Sequence, residues 1–562
     1  MSKKYTIGID FGTLSARAVL ADIATGEVLT DAVFEYPHGV MDTSLPSGLP
    51  LPADFALQHP ADYLEAFAKT VSEVIGRSGI SPADIIGIGI DFTTCTLIPV
   101  KADGTPLCFD KRFENDPHAY AKLWKHHASQ PQADRLNEAA ERFAPQILER
   151  LGGKTSSEWL FPKVMEVLEK SPEVYENTAY FIEAGDFIAW MLTGKQTRSY
   201  VFASYKALYL HDFGYPPKEM LKYLDPRLEN VVEEKLNAPL VYTGEAAGEV
   251  DELARNRFGL SKDAPFLNVG TMVACPEPDA HCAAPALGMS KSGDMFSIFG
   301  TSSNYMLISD EYKIIPGICG VVKDGLIPGY NAYEAGLCCF GDHFAWAAKN
   351  ICTAEYRDEA KARGISELQL ISEKASRLAP GESGIMALNW WNGNRNILVD
   401  SSLSGMFLGM TLRTRPEEMF RALLEANAFG TRVIIENFEK HGVTVERMTA
   451  AGGITRKSPF VMQTLADILG KTLCVSGYLH SSALGAAIYA SVAAKGHASL
   501  TEAVKAMADP CDTVYAPNPE AKAIYDELYR EYLTLHDYFG RGGNDVMKHL
   551  KKIQKEVQNE RI

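Results

Sequence analysis

Tyr5, Ile7 and Ile9 alternate with Thr6, Gly8 and Asp10, the period of a strand, and after Gly12-Thr13 a second β-rich run follows at Ala18-Val19-Leu20. The pattern predicts a hairpin with an acid and a small-residue turn at its tip. The same order recurs far along the chain. Phe-Gly-Thr-x-Ser stands at Phe11 to Ser15 and again at Phe299 to Ser303, and Asp22 and Asp310 lie at equal distances beyond the two glycines. A matched pair of hairpins implies a duplicated architecture. Between them, residues 37–60 read as a long Pro- and Gly-rich loop and a helix starts at Pro60. Residues 85–98 form a strand, small-polar turn, strand unit with Thr94-Cys95-Thr96 at its tip. A mainly helical region follows, with helices expected over 117–129, 133–144, 159–170 and 186–192, and a further one over 250–260. The turn at 261–265 predicts a domain boundary, dividing the chain into 1–262 and 263–562.

The hairpin tips suggest chemistry. A glycine lets backbone approach a bulky anion, and successive N–H groups of a turn can point at phosphate oxygens, with the hydroxyls of Thr13 and Ser15 as further donors. Asp10 would repel phosphate directly, so its natural role is to hold a hydrated Mg²⁺. In the second copy Ile298 replaces Asp10, as expected where one metal-holding acid suffices. An ordinary hairpin with an exposed acid stays open for the first copy alone. Gly152-Gly-Lys-Thr155 invites a phosphate-loop reading that fails, because Leu148 stands where the first glycine belongs and an amphipathic helix precedes it.

Lys206, in apolar company, is expected to direct its ammonium into a cleft or to snorkel at the surface. Asp279 follows the Pro-rich turn Cys275-Pro-Glu-Pro278, where a carboxylate could accept a proton from a substrate hydroxyl or cap a helix, and Glu277 is a rival base. Cys275, His281 and Cys282 raise a zinc site, which adjacent ligands without a second pair do not support. Glu334 is a lone acid in an apolar strand-to-loop unit, and Gly452-Gly453 joins a strand to a helix through a loop flat enough to lie beneath an adenine or ribose.

Bulk properties narrow the class. A chain of 562 residues with an ordinary globular composition predicts two or more domains, and a net charge of −16 argues against nucleic-acid and anionic-membrane partners. The ten cysteines contain no Cys-x-x-Cys pair and are expected as free thiols in a reducing cytoplasm. No signal peptide or membrane-spanning run is seen.

Two phosphate hairpins, an acid just before the second, an Ala-Gly-Gly loop and a late Gly-Ala-Ala helix, in this order, resemble the FGGY carbohydrate kinases of the actin-like ATPase superfamily. Gly89-Ile-Asp-Phe-Thr-Thr-Cys-Thr96, Leu123-Trp-Lys-His-His127, the run from Gly152 to Trp159, Asp279-Ala-His281, Glu334-Ala-Gly336 and Gly341-Asp-His-Phe-Ala-Trp346 are most similar to the branch that phosphorylates L-ribulose. The resemblance implies an α/β fold of two actin-like (RNase H-like) ATPase domains with a central cleft, the sugar mainly on the N-terminal side and ATP-Mg²⁺ on the C-terminal side. It implies Asp279 as catalytic base, and Thr94, Cys95, Thr96, Lys206, Asp279 and Glu334 as sugar contacts. Asp10 would hold the metal, and Gly12, Thr13, Ser15, Gly300, Thr301, Ser302, Gly452 and Gly453 would hold ATP. A homodimer is implied as well. A relative acting on xylulose or another polyol would keep all the ATP motifs, and an actin- or chaperone-like ATPase without a sugar would need a partner-binding element that the sequence does not display.

Overall fold

The computed structural model describes residues 3–508 and 511–559. It forms two compact units. The first runs from residue 3 to Lys291 and adds Val321–Ala332 and the stretch from Leu479 to residue 508. The second comprises Ser292–Gly320, Tyr333–Tyr478 and residues 511–559. The boundary expected at 262/263 therefore falls inside the first unit, and the helix Ser481–Ala493, late in the chain, returns to it.

In the first unit a mixed sheet runs in the order Ala246–Glu249, Met272–Ala274, Ile85–Phe92, Tyr5–Phe11, Ser15–Asp22, Val28–Glu35. Tyr5–Phe11 pairs antiparallel with Ser15–Asp22 and parallel with Ile85–Phe92. Ile7, Ile9, Ile88 and Ile90 are buried, as strands covered on both faces require. One cover is the helix Pro60–Ser78, whose buried Tyr63, Phe67, Val71 and Val74 recur at helical spacing. Another is Ser481–Ala493, which comes so close that a Cβ on Gly8 would stand 1.8 Å from the Ala483 carbonyl oxygen, and one on Gly89 2.0 Å from that of Ala486. The small residues of that helix and the two strand glycines are one packing device.

The second unit repeats the plan in the order Asn331–Leu337, Ser303–Ser309, Asp294–Phe299, Arg447–Ala451, Leu473–Val475, Thr513–Tyr515. Again a hairpin pairs antiparallel, its first strand pairs parallel with a later strand, and the far edge is antiparallel. The duplication expected from Phe-Gly-Thr-x-Ser is thus a duplication of sheet topology.

Three local expectations are corrected. Residues 117–129 are not a helix: they form a 3₁₀ turn at Pro117–Ala119, a short strand Ala121–Lys122 paired with Leu57–Gln58, and a turn. The physical reason is a buried polar cluster, in which Lys122 Nζ lies 3.0 Å and His126 Nε2 2.8 Å from Glu166 Oε2; the apolar spacing gave no hint of it. Over 250–260 only Ala254–Arg257 is helical. Cys474 and Cys511, expected as free thiols, form a disulfide, Cys474 lying on the strand that pairs with Thr513–Tyr515 just beyond Cys511.

Candidate active site

At the first hairpin tip Gly12 N–H donates to the Ser15 carbonyl at 3.0 Å, closing a tight turn. Thr13 is fastened from outside the hairpin: its carbonyl accepts Gln58 Nε2 at 2.7 Å and its hydroxyl accepts the Trp124 indole N–H at 3.2 Å. Ser15 is buried. Asp10 sits opposite Arg17 across the hairpin, Arg17 Nη1 lying 3.2 Å from Asp10 Oδ2, and opposite Asp91 across the parallel pair.

Asp91 is a site residue that the sequence reading missed. It is fully buried, and neither carboxylate oxygen has a hydrogen-bond partner among the described residues. Burial first, and then the charge of Asp10, hold its pKa well above the carboxylate range. A signal was present: Gly-Ile-Asp-Phe occurs twice, at Gly8 to Phe11 and Gly89 to Phe92, and the strands align with the repeats in register.

Asp279 opens the helix Asp279–Ala286, with Pro278 rather than Asp279 at the cap position; its Oδ1 accepts the Ala280 N–H at 2.8 Å. The Pro-rich approach is a short strand, Glu277–Pro278, paired parallel with Asp91–Phe92, which puts Asp279 immediately after a residue registered against Phe92. Desolvation first, and then the Asp10 charge, push the Asp279 carboxyl up to about 7. Glu277 is buried, and burial raises its pKa well above normal. Asp10, Asp91 and Asp279 are therefore three carboxyl groups that feel one another. Asp10, whose Oδ2 also meets Arg17, and Asp91, whose two oxygens have no hydrogen-bond partner among the described residues, offer an all-oxygen donor set, which suits a hard hydrated cation such as Mg²⁺.

The turn expected to face the sugar lies in the same unit. Cys95 adopts φ 63°, a left-handed conformation unusual for a residue with a side chain. Thr96 is turned inward, its hydroxyl bonding the Thr93 carbonyl and hydroxyl at 2.8 Å each, whereas Thr94 keeps partial exposure. Lys206, at the end of the helix Tyr200–Lys206, sets its ammonium 5.2 Å from the centre of the Trp159 ring, and its charge is felt at Cys95. Lys206 is thus directed to this cluster, and Trp159 is a second residue without an assigned role in the sequence reading.

In the second unit Gly300 N–H donates to the Ser302 carbonyl at 2.9 Å, a turn one residue tighter than the Gly12 to Ser15 bond of the first tip, and the Thr301 carbonyl accepts the Phe340 N–H at 2.7 Å. Gly452 has φ 109° and a Cβ there would meet the Phe299 carbonyl oxygen at 2.4 Å, so only glycine fits. Gly453 has open space beside it. Gly300 and Gly453 share one cavity of about 780 Å³, walled by Phe344, Leu368, Phe420 and Ile454. A mostly apolar cavity beside a glycine-rich turn fits a nucleoside with its phosphates at the turn. Glu334 lies on the strand Asn331–Leu337, buried, its carbonyl accepting the Cys319 N–H at 2.8 Å.

Family models and known proteins match the chain along most of its length. Residues 5–271 match the N-terminal domain, and residues 295–494 the C-terminal domain, of the FGGY family of carbohydrate kinases. A ribulokinase of Bacillus licheniformis is 48% identical over 546 residues, covering 96% of this chain and 98% of that protein. A ribulokinase of Halalkalibacterium halodurans is 47% identical over 559 residues, covering 99% and 98%. Among solved structures, gluconate kinase from Lactobacillus acidophilus superposes with a TM-score of 0.78 at 20% identity over 96% of this chain and 99% of that one. Xylulose kinase from Rhodospirillum rubrum gives 0.76 at 21% identity over 95% and 98%. At those identities the structural likeness speaks for the fold alone.

Proposed function

The chain belongs to the FGGY family of carbohydrate kinases, and from that premise we propose that it transfers the γ-phosphoryl group of ATP to the 5-hydroxyl of L-ribulose, giving L-ribulose 5-phosphate in L-arabinose catabolism. The observation that carries the substrate is the near-full-length identity of 48% and 47% to two ribulokinases. Asp279 is the base: it removes the proton of the attacking hydroxyl as the new O–P bond forms and the bond to ADP breaks. A pKa of about 7 supports the role, since a base ionises and accepts a proton with least penalty when its pKa lies near the working pH. The Gly300 and Gly453 cavity takes the nucleoside. The turns at Gly12, Thr13 and Ser15, and at Gly300, Thr301 and Ser302, hold phosphate oxygens, the Gly12 and Gly300 N–H groups closing the turns themselves, and Gly452 keeps the adenosine loop flat. Thr94, Cys95, Lys206 and Glu334 hold the sugar, Thr94 as the part-exposed residue of its turn, and Thr96 acts by fixing the turn.

Asp10, with Asp91 beside it, would hold Mg²⁺, which when bound offsets phosphate charge. Among the described residues no helix is long and apolar enough to cross a membrane; a cytoplasmic homodimer completes the reading and is checked by fractionation and light scattering.

The test is ADP release with ATP-Mg²⁺ over L-ribulose, D-ribulose, D-xylulose, L-xylulose, ribitol and glycerol. The expected outcome is highest kcat/KM on L-ribulose. Highest turnover on xylulose or a polyol would move the substrate within the family, and equal ADP release without any sugar would overturn the kinase reading.

A further inference from the structure

Lys163 is a fully buried lysine on the helix Leu160–Lys170, outside the residues just assigned. Its ammonium lies 2.5 Å from the carbonyl oxygen of Cys95, 2.9 Å from that of Leu123 and 3.4 Å from that of Lys122. An ammonium has three N–H donors, and here each faces a backbone carbonyl. Burial lowers its pKa, against which Cys95 first, and then the carboxyl of buried Glu183, favour the ammonium form. Burying such a cation is costly unless it is paired and hydrogen-bonded, as Lys163 is here by three carbonyls.

The three carbonyls belong to two segments. One is the turn Thr94-Cys95-Thr96, whose central residue holds the left-handed backbone at φ 63°. That conformation is strained for a residue with a Cβ, and it persists only where the surroundings fix it. The other is the stretch through Lys122 and Leu123, whose next residue, Trp124, donates its indole N–H to the Thr13 hydroxyl at the phosphate hairpin. Lys163 thus clamps the turn to the segment that steadies the first hairpin tip. The helix that carries it starts directly after Trp159, whose ring meets Lys206. The helix therefore carries Lys163 against the turn and follows directly on the residue that meets Lys206.

We propose that Lys163 is a positioning residue for sugar recognition, holding the Cys95 carbonyl so that the turn is set in its binding conformation before the sugar arrives. This rests on the reading that the turn faces the sugar. It does not touch substrate; it acts through the backbone of Cys95.

Lys163→Met keeps the length and removes the three donors. In the folded variant the KM for L-ribulose should rise at least about tenfold, with the KM for ATP within about twofold and kcat less affected than the sugar KM. A purely structural lysine would instead lower the yield of active enzyme and leave both KM values alone, and that result overturns the proposal. Thr94→Leu separates the premise from the inference. If Thr94→Leu raises the sugar KM and Lys163→Met does not, the turn faces the sugar and Lys163 is not its anchor; if neither does, the sugar-facing turn itself is wrong. A measurement on the native protein stands even if Lys163→Met does not fold. The amides of residues 94–96 should exchange with solvent deuterium slowly without sugar, with little further slowing on adding L-ribulose. Fast exchange without sugar, slowed only by its binding, overturns a preset turn.

Discussion

Replacing Asp279 by Asn should separate catalysis from stability, moving the two in opposite directions. The variant keeps size and the acceptor for the Ala280 N–H but cannot take a proton. Losing a general base lowers turnover roughly 10²–10⁴-fold, or about 3–5 kcal/mol in the barrier. Stability follows from the raised pKa. Between the ordinary value of 3.8 and about 7 the folded protein binds a proton at Asp279 that the unfolded chain has released, so this residue makes stability fall as pH rises through that window. Above it the full shift would amount to about 4 kcal/mol, but Asp279 keeps partial contact with solvent, which screens the penalty; a gain on the order of 1–2 kcal/mol in the Asn variant is the expectation at pH 8. At pH 4 the two proteins should differ little. The assay pairs steady-state ADP release on L-ribulose with denaturant unfolding at pH 4 and pH 8. For native enzyme kcat/KM should rise with pH to a plateau above about 7, and the residual activity of the variant should lack that limb. A variant with turnover within tenfold of native, or one less stable at pH 8 than native, refutes the account of Asp279 as a strained, desolvated base.

Glu277→Gln should leave at least a third of the turnover, because the rival acid is buried on the short strand before the helix and is not the base; a loss as large as that of Asp279→Asn would exchange their roles. Gly453→Val should raise the KM for ATP at least about tenfold while the L-ribulose KM holds, since a side chain there projects into the open cavity; an unchanged ATP KM would remove the nucleoside from that cavity. Gly89→Ala should cost about 1–3 kcal/mol in denaturant unfolding, because its Cβ would stand 2.0 Å from the Ala486 carbonyl oxygen and the helix Ser481–Ala493 must shift; a neutral substitution would mean the helix contact is loose.

Much of the site was legible along the chain because its signals are local. A Gly-Thr turn between two alternating runs is written in adjacent residues, and its second occurrence needs only comparison of the sequence with itself. Asp279 was legible as an acid after a break in the pattern. Asp91 carried an equally local signal, the repeated Gly-Ile-Asp-Phe, but its consequence is not local. Two acids in like tetrapeptides become neighbours only when the strands pair parallel in register, so that Asp10 meets Asp91. Lys163 left no trace at all. It lies on an amphipathic helix with buried neighbours on every side, and its three acceptors are backbone carbonyls, which every residue has.

By itself, then, the sequence determined the alternating strands, the two Gly-Thr hairpins, the Gly452-Gly453 junction of strand and helix and the acid at 279, because each follows from the conformational and chemical preferences of residues close together in the chain. Only the tertiary structure decided that the helix Ser481–Ala493 packs back on the first strands, that residues 117–129 abandon a helix for a buried polar cluster, and that Asp279 is raised to about 7. Those outcomes depend on desolvation and on charges brought near by folding, and neither burial nor the distance between remote residues is a property of any single stretch of chain.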